Sequence, residues 1–414
     1  MRRIYTLFIY LFVPLIVMRL FLKSRKNISY RERILERFQL AKLKTEEVDT
    51  WVHAVSLGEV VAATQLIESL LKADKKVLIT TMTPAGSKQV TSKFADKVLH
   101  QYVPYDLPWC VKRFFRAYKP KTGVIMETEL WPNLLYFANL FGVKLGLVNA
   151  RISDKAFKQY QKTGKIFKPV LANFSFIGAQ SELDAKRFIS LGAHESVVSV
   201  AGNVKFDITH PGKKLQDFSE FKIAIGEDRI ILIAASTHDD EERQLLTRLR
   251  KLQSEIPGII LLIAPRHIER FSDVYALSEK LGFKTAKRSN PVEIEKTTEV
   301  LVIDSLGEML SFYQMSDYAF VGGSLVPIGG HNVLEPVVMG VPVFCGPHMQ
   351  NSRSVCEQLH ESGAIGWRKD IDDLVENIIE LFNNPTKRKS QISQAFQVLQ
   401  ANQGALQRYI KLIV

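Results

Sequence analysis

The sequence predicts an α/β protein built from two parallel, doubly wound sheets. Its 414 residues exceed what one typical core accommodates, so two domains are expected. Apolar runs of strand length alternate with longer amphipathic stretches, a pattern typical of parallel strands buried on both faces. Polar motifs follow many of these runs, and open parallel sheets bind ligands at the carboxyl ends of their strands. We therefore expect two Rossmann-like domains with ligand sites at those ends.

The predicted strands form two groups. The first comprises Trp51–Val55, Val77–Thr81, Val124–Met126, Val143–Asn149, Phe174–Ala179 and Val197–Ala201. The second comprises Ile230–Ala235, Ile259–Ala264, Val300–Ile303, Tyr318–Val321 and Val341–Phe344. Between the groups, Asp207–Phe221 contains Pro211-Gly212 and lacks periodicity, which indicates a linker. The predicted domains are residues 49–207 and 222–386, joined by a linker at 208–221.

The amino terminus carries an apolar segment followed by basic residues. Ile4–Met18 has no charge, and the apolar character continues through Leu22. A helix of that length spans about 28 Å, close to a hydrocarbon core of about 30 Å. Arg2 and Arg3 would also suit a signal peptide, but no small-residue cleavage site follows. We predict a membrane anchor at 1–22 and a basic amphipathic linker at 23–48.

Charge and cysteine content indicate which partners and which cellular compartment to expect. Nine Lys or Arg lie in Arg19–Lys44, within a net charge of +12. This placement predicts contact with an anionic membrane surface and a body of the protein on the cytoplasmic side. No nucleic-acid-binding signature stands out, so no nucleic-acid partner is expected. Cys110, Cys345 and Cys356 form no CxxC pair, which argues against disulfides and structural zinc.

The segment Phe320–Gly346 has the character of a nucleotide site. An apolar strand leads into a loop with four glycines, then a short helix and a second apolar strand. Glycines allow backbone amides to approach a ligand, and a helix amino terminus favours phosphate. Glu335 in that helix would accept hydrogen bonds from ribose hydroxyls. An ordinary glycine-rich turn is the alternative, and the His331-Asn332 run with Glu335-Pro336 favours the site.

Five motifs carry a resemblance to one family. They are His53-Ala-Val-Ser-Leu-Gly-Glu59, Glu127-Thr-Glu-Leu-Trp-Pro132, Gly202-Asn-Val-Lys-Phe-Asp207, Ala264-Pro-Arg-His267 and the segment with His331-Asn332 and Glu335. Together they resemble the Kdo transferases, GT-B glycosyltransferases that attach 3-deoxy-D-manno-octulosonic acid (Kdo) to lipid A precursors. The resemblance implies two Rossmann-like domains facing a cleft. It also implies that the helical segment 387–414 packs back on the first domain.

The same resemblance implies roles for individual residues. Glu59 is expected to be the catalytic base, and Glu129 and Lys205 are expected to stabilise the transition state. Residues expected to bind the CMP moiety of the donor are Pro265, Arg266, Leu306, Gly307, Glu308, Asn332, Val333, Leu334 and Glu335. Taken alone, Glu59 also suits a dipole-stabilising carboxylate in a first helical turn. Lys205 also suits an exposed lysine, and the run Asp304–Glu308 a simple helix cap. Glu127 and Glu129 also suit structural capping groups for a helix that starts near Pro132.

The implied activity is inverting, metal-independent transfer of Kdo from CMP-Kdo to the lipid A precursor lipid IVA in lipopolysaccharide core biosynthesis, without a cofactor. The acidic run Ser236–Glu242 suggests a metal only weakly, because acidic residues favour a first helical turn on dipole grounds. Two alternatives share the fold: a glycosyltransferase with a UDP or ADP donor, and a sugar-nucleotide epimerase.

Overall fold

The computed structural model describes residues 2–25, 28–41, 45–162, 164–208, 212 and 215–414. These divide into two compact units, one of residues up to Asp207 plus Asn402–Val414, the other Ile208–Ala401. Part of the predicted linker at 208–221, including Pro211, lies outside the described residues. So do Lys26, Lys42 and Lys44 of the predicted basic segment.

The first unit contains a seven-stranded parallel sheet. Its strands are β1 (Thr50–His53), β2 (Val77–Thr81), β3 (Leu99–Tyr102), β4 (Thr122–Met126), β5 (Lys144–Ala150), β6 (Phe176–Ala179) and β7 (Val198–Val200). Their order is β3-β2-β1-β4-β5-β6-β7. The chain reverses direction across the sheet between β1 and β4, the position where doubly wound folds bind ligands.

The helices of the first unit precede, connect and follow these strands. They are α1 (Arg2–Ser24), α2 (Ile34–Arg37), α3 (Leu57–Lys72), α4 (Pro84–Phe94), α5 (Pro108–Tyr118), α6 (Pro132–Leu140), α7 (Asp154–Lys162), α8 (Gly164–Leu171) and α9 (Glu182–Ser190). Trp51 shows how the helices cover one face of the sheet. It is fully buried and meets Phe114 and Phe115 of α5 edge-on, at centroid distances of 5.3 and 5.7 Å.

The second unit repeats the plan. Its strands are β8 (Ile231–Thr237), β9 (Ile260–Pro265), β10 (Thr285–Lys287), β11 (Val300–Val302), β12 (Tyr318–Val321), β13 (Val343–Cys345) and β14 (Ile365–Trp367). Their order is β10-β11-β9-β8-β12-β13-β14, with the reversal between β8 and β12. Its helices are α10 (Ser219–Ile225), α11 (Glu241–Glu255), α12 (Phe271–Lys280), α13 (Met309–Met315), α14 (Leu334–Val338), α15 (Arg353–Glu361), α16 (Ile371–Asn383) and α17 (Pro385–Asn402).

Three strands escape the sequence prediction, namely β3, β10 and β14, and all three lie at sheet edges. Their sequences are Leu-His-Gln-Tyr, Thr-Ala-Lys and Ile-Gly-Trp. An edge strand needs no continuous apolar run, because one side of it has no neighbouring strand. The signal that identifies the central strands is therefore missing from these three, although the fourth edge strand, β7, was predicted.

The carboxyl-terminal segment is shared between the units. Residues 387–401, expected on the first domain, belong to the second unit, whereas α18 (Ala405–Ile413) belongs to the first. There the hydroxyl of Tyr409 donates to the carbonyls of Gly178 at 3.1 Å and Gly202 at 2.7 Å. Asp207 accepts from the amide of Gly404 at 2.8 Å, which fixes the start of α18. The difference from the expected boundary is that α17 continues through the predicted junction as one helix.

One helix near the amino terminus is long and apolar enough to cross a membrane by length and composition. It is α1, and most of its large apolar side chains are exposed. An exposed apolar surface of this kind is typical of contact with a membrane or with another protein.

Candidate functional site

Three carboxylates gather at the reversal point of the first sheet. Glu59 lies in the first turn of α3, directly after β1, and Glu127 and Glu129 follow β4. Because β1 and β4 are neighbouring parallel strands, their carboxyl ends place these side chains together. The negative charges of Glu127 and Glu129 both act on Glu59.

Glu59 is held by the turn that starts its helix. Ser56 caps α3, and its hydroxyl donates to Glu59 Oε1 at 2.9 Å, while the amide of Val55 donates to Oε2 at 2.8 Å. The side chain is only 8% exposed. Burial raises the pKa of Glu59 to about 7, and the neighbouring carboxylates add to the rise. A carboxyl group with that pKa takes up and releases a proton near neutral pH, as a general base must.

Glu129 is also fixed and partly buried. Its Oε2 accepts a hydrogen bond from the indole Nε1 of Trp131 at 2.8 Å. Burial raises the pKa of Glu129, and the charge of Glu127 raises it further. The structure thus brings together the predicted residues Glu59 and Glu129.

Lys205 supplies a cation to this cluster. It lies in a 3-10 turn at Val204–Phe206, and its Nζ is 3.4 Å from Oε1 of Glu127. Asn149 accepts from the amide of Val204 at 3.1 Å and so fixes the turn. The sequence analysis assigned no role to Glu127, yet it is the carboxylate that pairs with Lys205.

Two non-glycine residues at this edge adopt left-handed backbone. Glu127 has φ of 57° and Asn149 has φ of 55°, at the carboxyl ends of β4 and β5. Such backbone is disfavoured for L-residues and concentrates at functional sites. Sequence reasoning missed both, because no side-chain pattern reports a backbone angle.

A second site lies at the edge of the other sheet. It is a cavity of about 350 Å³ lined by Ser236, Ala264, Pro265, Arg266, Ile303, Ser305, Leu306, Gly307, Met309, Tyr313, His331, Asn332 and Glu335. Six of the nine residues predicted to bind CMP are among them. Glu335 accepts from Asn332 Nδ2 at 3.1 Å, burial raises its pKa, and the positive charge of Arg266 opposes that rise.

The other three predicted residues, Glu308, Val333 and Leu334, do not line this cavity. Glu308 is paired with Arg288 at 3.0 Å and accepts from the hydroxyl of Ser305. Val333 and Leu334 are buried in the core. These positions support the cavity wall.

The glycine loop does not offer its amides as the sequence analysis expected. The amides of Gly323, Ser324 and Leu325 all donate to the carboxylate of Glu241, at 2.7, 2.9 and 2.9 Å. Those of Gly329 and Gly330 donate to the carbonyl of Gly323. The expectation that this loop binds a ligand through these amides is wrong, because a buried carboxylate and a backbone carbonyl occupy them.

Glycine is required in this loop for packing. A Cβ at Gly322 would lie 2.5 Å from the carbonyl oxygen of Ser236, and one at Gly330 would lie 2.1 Å from Met349 Sδ. Gly330 also has φ of 73°. The loop therefore needs its glycines to pass close to β8 and to Met349.

Histidines form a feature that the sequence analysis did not recognise. His238 Nε2 lies 2.8 Å from His331 Nε2, with the two rings parallel to within 2°. One ring must donate Nε2–H to the other, so the two tautomers differ. Burial, together with the charges of His238 and Arg266, lowers the pKa of His331 to about 4. His331 directly precedes the predicted Asn332 and lines the cavity.

Two parallel sheets with these sites correspond to a known architecture. The crystal structure of MurG from Acinetobacter baumannii superimposes with a TM-score of 0.55 at 11% identity, over 88% of this chain and 99% of that one. The two parallel sheets and this likeness show the GT-B fold.

Sequence comparison then identifies the family. The family description "3-Deoxy-D-manno-octulosonic-acid transferase (kdotransferase)" matches residues 32–208. The 3-deoxy-D-manno-octulosonic acid transferase of Haemophilus influenzae is 35% identical over 100% of this chain and 98% of its own. That of Bordetella pertussis is 33% identical over 86% and 85%. This chain belongs to the Kdo transferase family. The predicted family and fold class are confirmed, and the epimerase alternative is excluded.

Proposed function

We propose that this Kdo transferase moves Kdo from CMP-Kdo to a glucosamine hydroxyl of a lipid A precursor, lipid IVA. The single observation that carries the proposal is the buried carboxylate of Glu59, whose pKa is raised to about 7 at the reversal point of the first sheet. An alcohol needs such a base when it attacks a sugar carbon.

The proposed chemistry is one displacement. The acceptor hydroxyl oxygen attacks the anomeric carbon of Kdo while Glu59 takes its proton. The bond from that carbon to the phosphate oxygen breaks, and CMP departs with the electron pair. A single displacement inverts the configuration at the anomeric carbon.

Charge development in that step suits the neighbouring groups. Positive charge grows on the sugar ring in a transition state of oxocarbenium character, and the carboxylate of Glu129 would stabilise it. Negative charge grows on the departing phosphate, and the cation of Lys205 would stabilise it. We propose no metal, since one leaving phosphate carries less charge than a diphosphate and protein cations are available for it.

We assign the cavity of the second unit to CMP. Arg266 offers a planar guanidinium for the phosphate or the base. Glu335 is placed to accept hydrogen bonds from the ribose. Asn332 and Gly307 complete the wall, and Glu308, Val333 and Leu334 support it. His331 lies beside Arg266 and adds a further nitrogen to the site.

We further propose that α1 anchors the enzyme at the cytoplasmic face of the bacterial inner membrane. The exposed apolar side chains of α1 support this, as do Arg19, Lys23 and Arg25 at its end. Each Lys or Arg near an anionic membrane surface contributes about 1 kcal/mol to the free energy of membrane binding.

The test incubates detergent-solubilised protein with freshly generated CMP-Kdo and lipid IVA, followed by mass spectrometry of the lipid. We expect the lipid mass to increase by one or more Kdo units. An unchanged lipid, with the donor shown to be active in parallel, would refute the acceptor assignment. Competition by CMP against UDP and ADP tests the donor: CMP should inhibit most strongly, and stronger inhibition by UDP or ADP would favour the alternative donors.

A further inference from the structure

The helix α1 lies along the first unit. Residues Tyr5, Ile9, Val13, Ile16 and Leu20, spaced by three or four, line one side of a cavity whose other side belongs to the body of the unit. This spacing places them on one face of the helix.

Both ends of α1 are attached to the body. At the amino end, Arg2 Nη1 donates to Asn133 Oδ1 at 3.1 Å, and the guanidinium lies 3.6 Å from the ring centre of Tyr136. Near the carboxyl end, Leu20 packs in a cluster with Leu107 and Cys110. The helix is therefore fixed along its length.

The cavity between α1 and the body has a volume of about 360 Å³, within the range of small-molecule sites. Its walls are largely apolar on both sides. The body contributes Tyr30, Arg37, Phe38, Met82, Thr83, Tyr105, Asp106, Leu107 and Trp131, and α1 adds Arg19 and Lys23 to its apolar stripe.

Cations dominate the charged groups of this cavity. Arg37 is only 1% exposed, its Nη2 donates to the carbonyl of Met82 at 3.0 Å, and its guanidinium lies 3.8 Å from the ring centre of Tyr102. Its Nε–H is buried and has no acceptor among the residues the structure describes. A buried guanidinium with an unused donor favours an anionic ligand group.

The one acidic residue in the lining is already engaged. Asp106 accepts from the amides of Asn133 at 3.0 Å and Leu134 at 2.6 Å, at the start of α6. The negative charge of Asp106 therefore stabilises the amino terminus of α6. Arg19, Lys23 and Arg37 leave the cavity with positive character.

The cavity shares its wall with the carboxylate site. Trp131 lines the cavity and donates to Glu129. Thr83 also lines the cavity, and it caps the amino terminus of α4. The first turn of α4 packs closely against Ser56, which holds Glu59: a Cβ on Gly86 would lie 3.3 Å from the carbonyl carbon of Ser56. A ligand in the cavity is thus adjacent to the residues that position both carboxylates.

We propose that this cavity holds one acyl chain of the acceptor lipid, with an anionic group of the same molecule at Arg19, Lys23 and Arg37. The inference rests on the proposed function, because it takes the acceptor to be a lipid. It makes α1 part of the acceptor site: one face binds the chain, and the opposite face, with Leu7 and Leu11, contacts the bilayer.

The test compares two acceptors, lipid IVA and the same sugar phosphate without acyl chains. Val13→Trp fills the cavity, and Leu11→Trp is the matched control, because Leu11 is 72% exposed. We expect Val13→Trp to raise KM for lipid IVA by roughly tenfold or more, since lost burial of about two methylenes already has that effect. KM for CMP-Kdo, activity on the deacylated acceptor and the Leu11→Trp enzyme should stay at the wild-type level.

Equal effects of Val13→Trp and Leu11→Trp, or equal effects on both acceptors, would overturn the inference. Wild-type protein that modifies neither acceptor would instead overturn the proposed function on which it rests.

Photolabelling of the unmodified protein provides a measurement that does not depend on the folding of a variant. Lipid IVA with a diazirine on an acyl chain should label the stripe from Ile9 to Leu20 and Leu107, and excess unlabelled lipid IVA should prevent it. A membrane phospholipid with the same diazirine is the alternative occupant. If it labels these residues and lipid IVA does not displace it, the cavity is a site for membrane lipid and the inference is wrong.

Discussion

The two units use one architecture for opposite electrostatic purposes. In the first unit, three carboxylates lie together at the reversal point between β1 and β4, and Lys205 pairs with one of them, Glu127. In the second, the buried carboxylate of Glu241 accepts hydrogen bonds from backbone amides, and the cavity at that sheet edge is lined by the cation of Arg266 together with Glu335. A carboxylate acts as a base only where backbone amides do not already neutralise its charge. We therefore propose that the same topology yields a proton-accepting site in the first unit and a phosphate-binding site in the second.

The largest effect we expect comes from removing the base in the first unit. Glu59→Gln keeps the size of the side chain but cannot accept the proton, so kcat should fall by about 10²–10⁴-fold. The measurement is the rate of Kdo transfer at saturating substrates, together with CMP affinity, which should stay within about twofold of wild type because no CMP contact is lost. Glu68→Gln, at an exposed position of the same helix α3, is the matched control and should be fully active. Wild-type turnover by Glu59→Gln would remove Glu59 from its role.

In the second unit, the largest effect should be on stability. Glu241→Ala leaves several buried amides without an acceptor, and we expect a loss of about 3–5 kcal/mol in the free energy of unfolding. Denaturant unfolding monitored by circular dichroism measures it. Glu255→Ala, at the opposite end of α11, should change stability by no more than about 0.5 kcal/mol. A folded, equally stable Glu241→Ala protein would show that the loop does not depend on this carboxylate.

Removing the cation of the second cavity should weaken donor binding. Arg266→Ala loses charge-assisted hydrogen bonds, and we expect KM for CMP-Kdo to rise by roughly 10–100-fold. KM for lipid IVA should be unchanged. Arg353→Ala, whose guanidinium is exposed on α15, controls for the general loss of a positive charge. If KM for both substrates rose in parallel, Arg266 would not be specific to the donor.

The last effect we predict is a pH dependence that belongs to the first unit. The pKa of Glu59 is raised to about 7, and the base must be unprotonated to act. The rate should therefore fall as pH drops below 7, by about tenfold for each further unit. A kcat/KM profile between pH 5 and 9 checks this. A profile that stays flat down to pH 5 would indicate that Glu59 titrates near the ordinary value for a carboxyl group.

The sequence predicted every central strand of both sheets and the edge strand β7, but not the other three edge strands, for a physical reason. Central parallel strands such as β8 and β9 are buried on both faces and therefore apolar throughout, whereas β10 consists of Thr285, Ala286 and Lys287. Position in a sheet depends on neighbours that a local pattern does not contain.

The candidate sites show the same limit on what a local sequence pattern predicts. Glu59, Glu129 and Arg266 were selected because they follow strands within motifs that resemble those of the Kdo transferases. The topology then brings the two carboxylates together. The pairing of His238 with His331 joins residues 93 positions apart, and no spacing within either motif encodes it. The role of the glycines was misjudged because a glycine that allows close packing looks the same in sequence as one that allows ligand approach.

The attachment of α1 to the first unit has a practical consequence for handling the protein. Leu107 and Cys110 are buried beneath this helix, and Cys110 Sγ donates to the carbonyl of Phe38 at 3.4 Å. Deleting α1 to obtain a water-soluble enzyme would expose the apolar surface around Leu107 and would leave the thiol of Cys110 open to oxidation. A soluble form is better sought by replacing the outward residues of α1, such as Leu7, Leu11 and Leu15, with polar ones while leaving the inward stripe intact.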